Sequence, residues 1–154
     1  MKKNQGIKEM FASAIKEHQK NNLKTAEKFY KKILIEDPNH FDSIFLLGTL
    51  LLQTKKFDLA KQFLQKAIQI QPNHTEGIYN LGNTLRELGE FQKAVNCYQK
   101  ALEYKPDYVD AHHSILFTLL YFDKADPKYI LSKAKEFRFS LKPINDDLLP
   151  KHQF

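Results

Sequence analysis

Residues 75–108 read TEGIYNLGNTLRELGEFQKAVNCYQKALEYKPDY, and residues 41–74 read FDSIFLLGTLLLQTKKFDLAKQFLQKAIQIQPNH. Laid one over the other, the two stretches keep a common register. Pro72 falls on Pro106, and Pro38 lies one 34-residue period earlier. The same period carries Ala26, Ala60 and Ala94, then Tyr30, Leu64 and Tyr98, then Ile33, Ala67 and Ala101. Gly48 recurs as Gly82, each preceded by a leucine, and the turn Asn21-Asn22-Leu23 recurs as Lys55-Lys56-Phe57 and Gly89-Glu90-Phe91. Self-similarity at a fixed period of this length is the mark of a repeat architecture.

Inside each period the spacing is helical. Ile44, Leu47, Gly48 and Leu51 share one helix face, as do Ile78, Leu81, Gly82 and Leu85. After the turn a second run follows: Ala60, Phe63, Leu64, Ala67, Ile68, and then Ala94, Cys97, Tyr98, Ala101, Leu102. Each unit is therefore two helices joined by a short turn and closed by a proline, which cannot continue a helix. The small residues Gly48, Gly82, Ala60 and Ala94 mark the place where the two helices approach closely.

These residues resemble the tetratricopeptide-repeat (TPR) family, whose 34-residue unit carries the Leu-Gly pair, the alanine and aromatic of the second helix, and the terminal proline. The resemblance implies an all-α solenoid, a right-handed superhelix of antiparallel helix pairs, with about 3.5 repeats plus a C-terminal helix. The repeats are expected at 7–40, 41–74 and 75–108, with a divergent fourth unit at 109–142. In the first, Ser13-Ala14 replaces Leu-Gly; in the fourth, Asp126-Pro127 reads as a cap and first-turn proline opening a helix to about Leu141. Residues 1–142 would form the solenoid and 143–154 a linker-like tail.

Composition narrows the function. The chain of 154 residues is 42% apolar and 27% charged, as expected of one folded domain. It has no apolar run near the roughly 20 residues of a membrane span, and its N-terminus lacks the apolar core of a secretory signal. A cytoplasmic protein that does not engage membranes is expected. The single cysteine, Cys97, cannot make an internal disulfide and reads as a small core residue. Net charge is +6, yet only Arg86 and Arg138 among 24 cations are arginine, and glutamates interrupt the lysines; a solvated basic surface is expected over a nucleic-acid site. The sequence contains no P-loop, GxGxxG or HExxH. His112 and His113 are adjacent and so point to different faces of a helix, while His40 and His74 occupy equivalent turns, where they would cap or bridge units. No catalytic residue, cofactor or metal is expected, and the chain is read as a non-enzyme.

By the same resemblance, the first helix of each pair lines a concave groove. Helical angle puts Asp42, Phe45, Thr49 and Leu52 on one face, Glu76, Tyr79, Asn83 and Arg86 on the next, and Asp110, His113, Phe117 and Leu120 on the third. The groove would hold a ladder of Phe45, Tyr79 and His113 with Thr49, Asn80, Asn83 and Arg86 beside it, suited to an extended or helical peptide. The competing role for such rings is packing against the neighbouring repeat.

Two subtypes of the family bear on the partner. The two-carboxylate clamp of chaperone-tail TPRs is built from lysine, arginine and asparagine; the aligned positions here read Phe11, Ile15, Leu46, Glu76 and Asn80, and only the asparagine matches. The stretch from Tyr79 to Gly89 is similar to the repeats of O-GlcNAc transferase and SPINDLY-like enzymes, with Asn80 on their ladder asparagine, although Leu46 and Ser114 break the ladder. Residues 111–121 followed by Asp126-Pro127 resemble the segment that ends the TPR array in bacterial SPINDLY-like glycosyltransferases. The implied function is a protein- or peptide-binding module that recruits a substrate or partner for such an enzyme; the alternative is a free-standing scaffold or adaptor. Leu148, Leu149 and Phe154 could form an apolar patch that pairs two chains as a homodimer through the terminal repeats.

Overall fold

The computed structural model describes residues 2–121 and 126–140, and these form eight α-helices: α1 (Lys2–Gln19), α2 (Leu23–Glu36), α3 (Phe41–Gln53), α4 (Phe57–Ile70), α5 (Thr75–Glu87), α6 (Phe91–Tyr104), α7 (Val109–Tyr121) and α8 (Pro127–Ser140). The starts of α3, α5 and α7 step along the chain by the sequence period, as do those of α2, α4 and α6. Helix α1 departs from the expectation, opening at Lys2 where the period would begin it at residue 7. The tail 143–154, with Leu148, Leu149 and Phe154, and the end of the last helix at Leu141 lie outside the described residues.

Two local devices set the helix boundaries. Each first helix of the three leading pairs ends in a left-handed residue: Asn21 (φ 62°), Lys55 (φ 59°) and Gly89 (φ 76°). The next amide returns to a carbonyl five residues back, Asn22 to Glu17, Lys56 to Leu51 and Glu90 to Leu85, which is the hydrogen bond of a Schellman turn. The second helices end on Asp37, Gln71 and Lys105, all held near φ −130° and ψ 85–89°, because the proline that follows bars the helical conformation. His40 and His74 then open α3 and α5 as caps: His40 Nδ1 accepts from the Ser43 amide at 3.3 Å and His74 Nδ1 from the Gly77 amide at 3.0 Å.

Pairs close on their small residues. A side chain added at Gly82 would meet the Tyr98 ring at 2.6 Å, and one at Gly48 would meet Leu64 at 2.9 Å. Ala26, Ala60 and Ala94 are fully buried in the facing helices, and Tyr30, Leu64 and Tyr98 fill the space between. Each pair also packs on the next, α2 on α3, α4 on α5 and α6 on α7, so the core runs as one stripe from Ala14 to Leu119. Helix α3 touches α5 directly. The odd-numbered helices therefore line the inner side of the stack and the even-numbered helices its outer side.

Candidate peptide-binding face

The inner face is built from aromatic residues that recur at each junction between pairs. Phe11 meets His40 at 5.2 Å, Phe45 meets His74 at 4.5 Å, and Tyr79 meets Tyr108 at 5.0 Å between ring centroids. In every case one ring comes from the first helix of a pair and its partner from the turn that closes that pair. The histidines thus cap a helix and bridge two units at once.

This pairing corrects the aromatic ladder expected from helical angle. Phe45 is only 9% exposed, stacked on Phe41 at 6.3 Å and held edge-on by His74. It belongs to the wall between repeats and offers a ligand little. Tyr79 is half-buried, with its hydroxyl 3.2 Å from Ser114 Oγ and its ring 5.6 Å from Tyr98. His113 is exposed and sits edge-on to Phe137 of α8 at 4.9 Å. The three rings do not form one free row.

The polar residues expected in the groove are brought together more closely. Asn80 Nδ2 donates to Thr49 Oγ1 at 3.1 Å, joining α5 to α3, and Thr49 donates in turn to the Phe45 carbonyl. That bond uses one amide hydrogen of Asn80 and leaves the other, with the carbonyl oxygen, to a ligand. Asn83 Oδ1 accepts from the Tyr98 hydroxyl at 2.9 Å. Arg86 pairs with Glu87 at 3.3 Å and lies 5.8 Å from the Phe117 ring centroid, bridging α5 to α7. Leu52, Gln53, Lys55 and Phe57 join Asn83, Arg86 and Glu87 around a cleft of about 280 Å³.

Three features of this face were missed by sequence reasoning or left out of the candidate set. Tyr108 completes the third ring pair, and its position one period after His40 and His74 was the available signal. Ser114 holds the Tyr79 hydroxyl. Phe117, Leu120 and Tyr121 stand 46%, 58% and 71% exposed on α7. Away from the inner face, Cys97 is half-buried between α6 and its neighbours, and burial pushes its thiol up to about 11, so little nucleophilic thiolate is present at neutral pH. His112 is buried, with Nε2 2.8 Å from the Pro106 carbonyl. No described helix is long and apolar enough to cross a membrane.

Comparison with known proteins places this architecture. The model of the family described as "Anaphase-promoting complex, cyclosome, subunit 3" matches residues 19–101. No curated protein sequence matches the chain. Among solved structures, an O-GlcNAc transferase point mutant from Thermobaculum terrenum superposes with a TM-score of 0.79 at 25% identity, over 90% of this chain and 27% of the transferase. This chain thus spans about a quarter of that enzyme's length. MamA from Desulfovibrio magneticus RS-1 superposes with a TM-score of 0.78 at 22% identity, over 87% of this chain and 73% of the MamA chain.

Proposed function

The chain belongs to the family whose model is described as anaphase-promoting complex, cyclosome, subunit 3, a family of tetratricopeptide-repeat proteins, and from that premise we propose that its inner face binds an extended peptide or protein segment. The observation that carries this reading is the Asn80–Thr49 bridge beside the Tyr79 ring. A side-chain amide is held in place by its neighbour helix while keeping a donor and an acceptor for a peptide backbone. Thr49, Tyr79, Asn80, Asn83, Arg86 and His113 form the proposed contact set, with Phe45 supporting them from behind.

In its finer form the reading makes this chain the substrate- or partner-recruiting region of an O-GlcNAc-transferase-like protein. The Tyr79–Gly89 stretch and the superposition on the Thermobaculum enzyme support it. A free-standing scaffold is the second reading, supported by the superposition on MamA. In both, the chain itself binds and does no chemistry, and it works in the cytoplasm.

Asn80→Ala tests the groove. It removes the amide without opening a core cavity, whereas Tyr79→Ala would also unpack Tyr98 and Tyr108. Partner capture is expected to fall at least several-fold while the melting temperature drops by only the few degrees that one lost hydrogen bond accounts for. Capture equal to wild type would show that partners bind elsewhere. The mass of the native product, read with an antibody to this domain, separates the two finer readings: a product well above this chain's own mass supports the recruiting arm, and one near it supports the scaffold.

A further inference from the structure

Charge is segregated between the two sides of the solenoid from α2 to α7, against the sign of the whole chain. The inner helices of that stretch, α3, α5 and α7, carry four acidic residues, Asp42, Glu76, Glu87 and Asp110, against one cation, Arg86, whereas α1, at the N-terminal end of the inner row, carries four lysines against two glutamates. The outer helices α2, α4 and α6 carry eight lysines against four acidic residues. Arg86 is engaged by Glu87 and the Phe117 ring. Asp42, Glu76 and Asp110 occupy equivalent positions one period apart, are all exposed, and make no ion pair among the described residues. An acid in a first turn also complements the helix dipole; among the outer helices α4 has one, Asp58, while α2 and α6 have none. Only along α3, α5 and α7 does the acid recur in every successive repeat.

Aromatic surface lies beside this acidic rail. Tyr79 follows Glu76 by three residues, on the same face of α5, and its ring meets that of Tyr108, two residues before Asp110, at 5.0 Å and 46°. Tyr108 already takes the Lys105 ammonium at 4.8 Å from its centroid. Burial, and then the nearby Tyr79, Asp110 and Glu76, push the Tyr108 hydroxyl up to about 12. Aromatic faces flanked by carboxylates attract cations.

Resting on the peptide-binding reading above, we infer that the inner face selects a cationic peptide segment and seats a lysine or arginine side chain of the partner at the Tyr79–Tyr108 ring pair beside Glu76 and Asp110. Apolar residues of the same segment would lie along Phe117 and Leu120.

The test uses two fluorescein-labelled dodecapeptides, one of three Ala-Lys-Ala-Leu units and one of three Ala-Glu-Ala-Leu units, followed by fluorescence anisotropy. The lysine peptide should bind about tenfold or more tighter than the glutamate peptide, and Glu76→Gln with Asp110→Asn should weaken it by about tenfold. Its affinity should fall between ~50 and ~300 mM salt as screening tightens. Equal binding of the two peptides, no detectable binding of the lysine peptide, or an unaffected double variant would each overturn the inference. If the glutamate peptide binds better and Asn80→Ala abolishes that binding, the groove reading stands and only its charge preference falls. If neither peptide's binding responds to Asn80→Ala, the groove reading falls as well. Sedimentation of the chain alone covers the remaining occupant: a salt-sensitive oligomer that the double variant dissolves would mean that the inner face takes the lysine-rich outer face of a second copy, and the peptide would be displaced as partner.

Discussion

Gly48 and Gly82 hold the same position in successive repeats, but their neighbours differ in stiffness. A side chain at Gly48 would face the Leu64 branch carbon at 2.9 Å and its backbone nitrogen at 3.3 Å, whereas one at Gly82 would face a tyrosine ring at 2.6 Å that is fixed by the Tyr98–Asn83 hydrogen bond. Gly48→Ala should therefore cost less than Gly82→Ala, its overpacking partly offset by the roughly 1 kcal/mol of helix propensity gained. Gly82→Ala should lose about 1–2 kcal/mol net, since the ring must shift; equal midpoints in urea for the two variants would contradict this. His74 carries two roles that one substitution each can separate. His74→Ala removes both the Gly77 cap and the ring contacts to Phe41 and Phe45 and should destabilise by about 1–2 kcal/mol, while His74→Asn restores the cap alone and should recover about half. The capping or bridging role of His40 and His74 was legible in the sequence because both lie at the same point of the period. Packing against the neighbouring repeat was one of two roles the sequence offered for Phe45, but helical angle alone does not report that His74, from the turn that closes the same pair, covers that ring.

Among the elements, the left-handed turn that ends each first helix is the least matched to its residues. Only the third copy has glycine, at Gly89, while Asn21 and Lys55 adopt the same conformation with a side chain present. Lys55→Gly should stabilise the protein by about 0.5–1 kcal/mol, the relief of strain exceeding the freedom glycine adds to the unfolded chain, and Gly89→Ala should destabilise it by about 1 kcal/mol. Opposite signs in chemical denaturation are the expected result; like signs would refute the turn assignment. The outer helices are tied across repeats by ion pairs whose polarity reverses: Glu27 binds Lys56 at 2.9 Å, and one period on Lys61 binds Glu90 at 2.6 Å. Hydrogen bonds from Lys31 and then Lys56 hold the Glu27 carboxyl below its ordinary value of 4.5. A folded value below the unfolded one means the contribution is present above the unfolded pKa and is lost as pH falls through the folded one. Glu27→Gln should thus be less stable than wild type at neutral pH, by no more than about 1 kcal/mol for a surface pair, with the difference closing as the pH drops below about 4.5.

At the scale of the molecule, the solenoid was readable because one length of chain is used again and again: a period that fixes the start of α3 also fixes α5 and α7. What the period could not carry is whatever lies between copies, such as the Asn80–Thr49 bridge, the ring pairs and the separation of charge, each of which needs two repeats placed side by side. The same nearest-neighbour construction predicts how the fold loosens. Stability in a repeat array is a sum of units and interfaces, so an end unit with one poor interface opens first. Helix α8 is that unit. Among its described residues it has no fully buried side chain; Tyr129, Leu131 and Phe139 are exposed, and it rests on α7 through Phe137 against His112 and His113. By contrast, α3 to α6 hold Ile44, Leu47, Leu64, Ile78 and Tyr98 almost wholly out of water. Native-state hydrogen exchange should show α8 amides exchanging fastest among the helices, then α7, with α3 to α6 protected up to the global unfolding free energy. Protection of α8 equal to that of α5 would mean that the array opens as a single unit, and that the apolar side of α7 and α8 is covered by contacts stronger than those of the isolated chain.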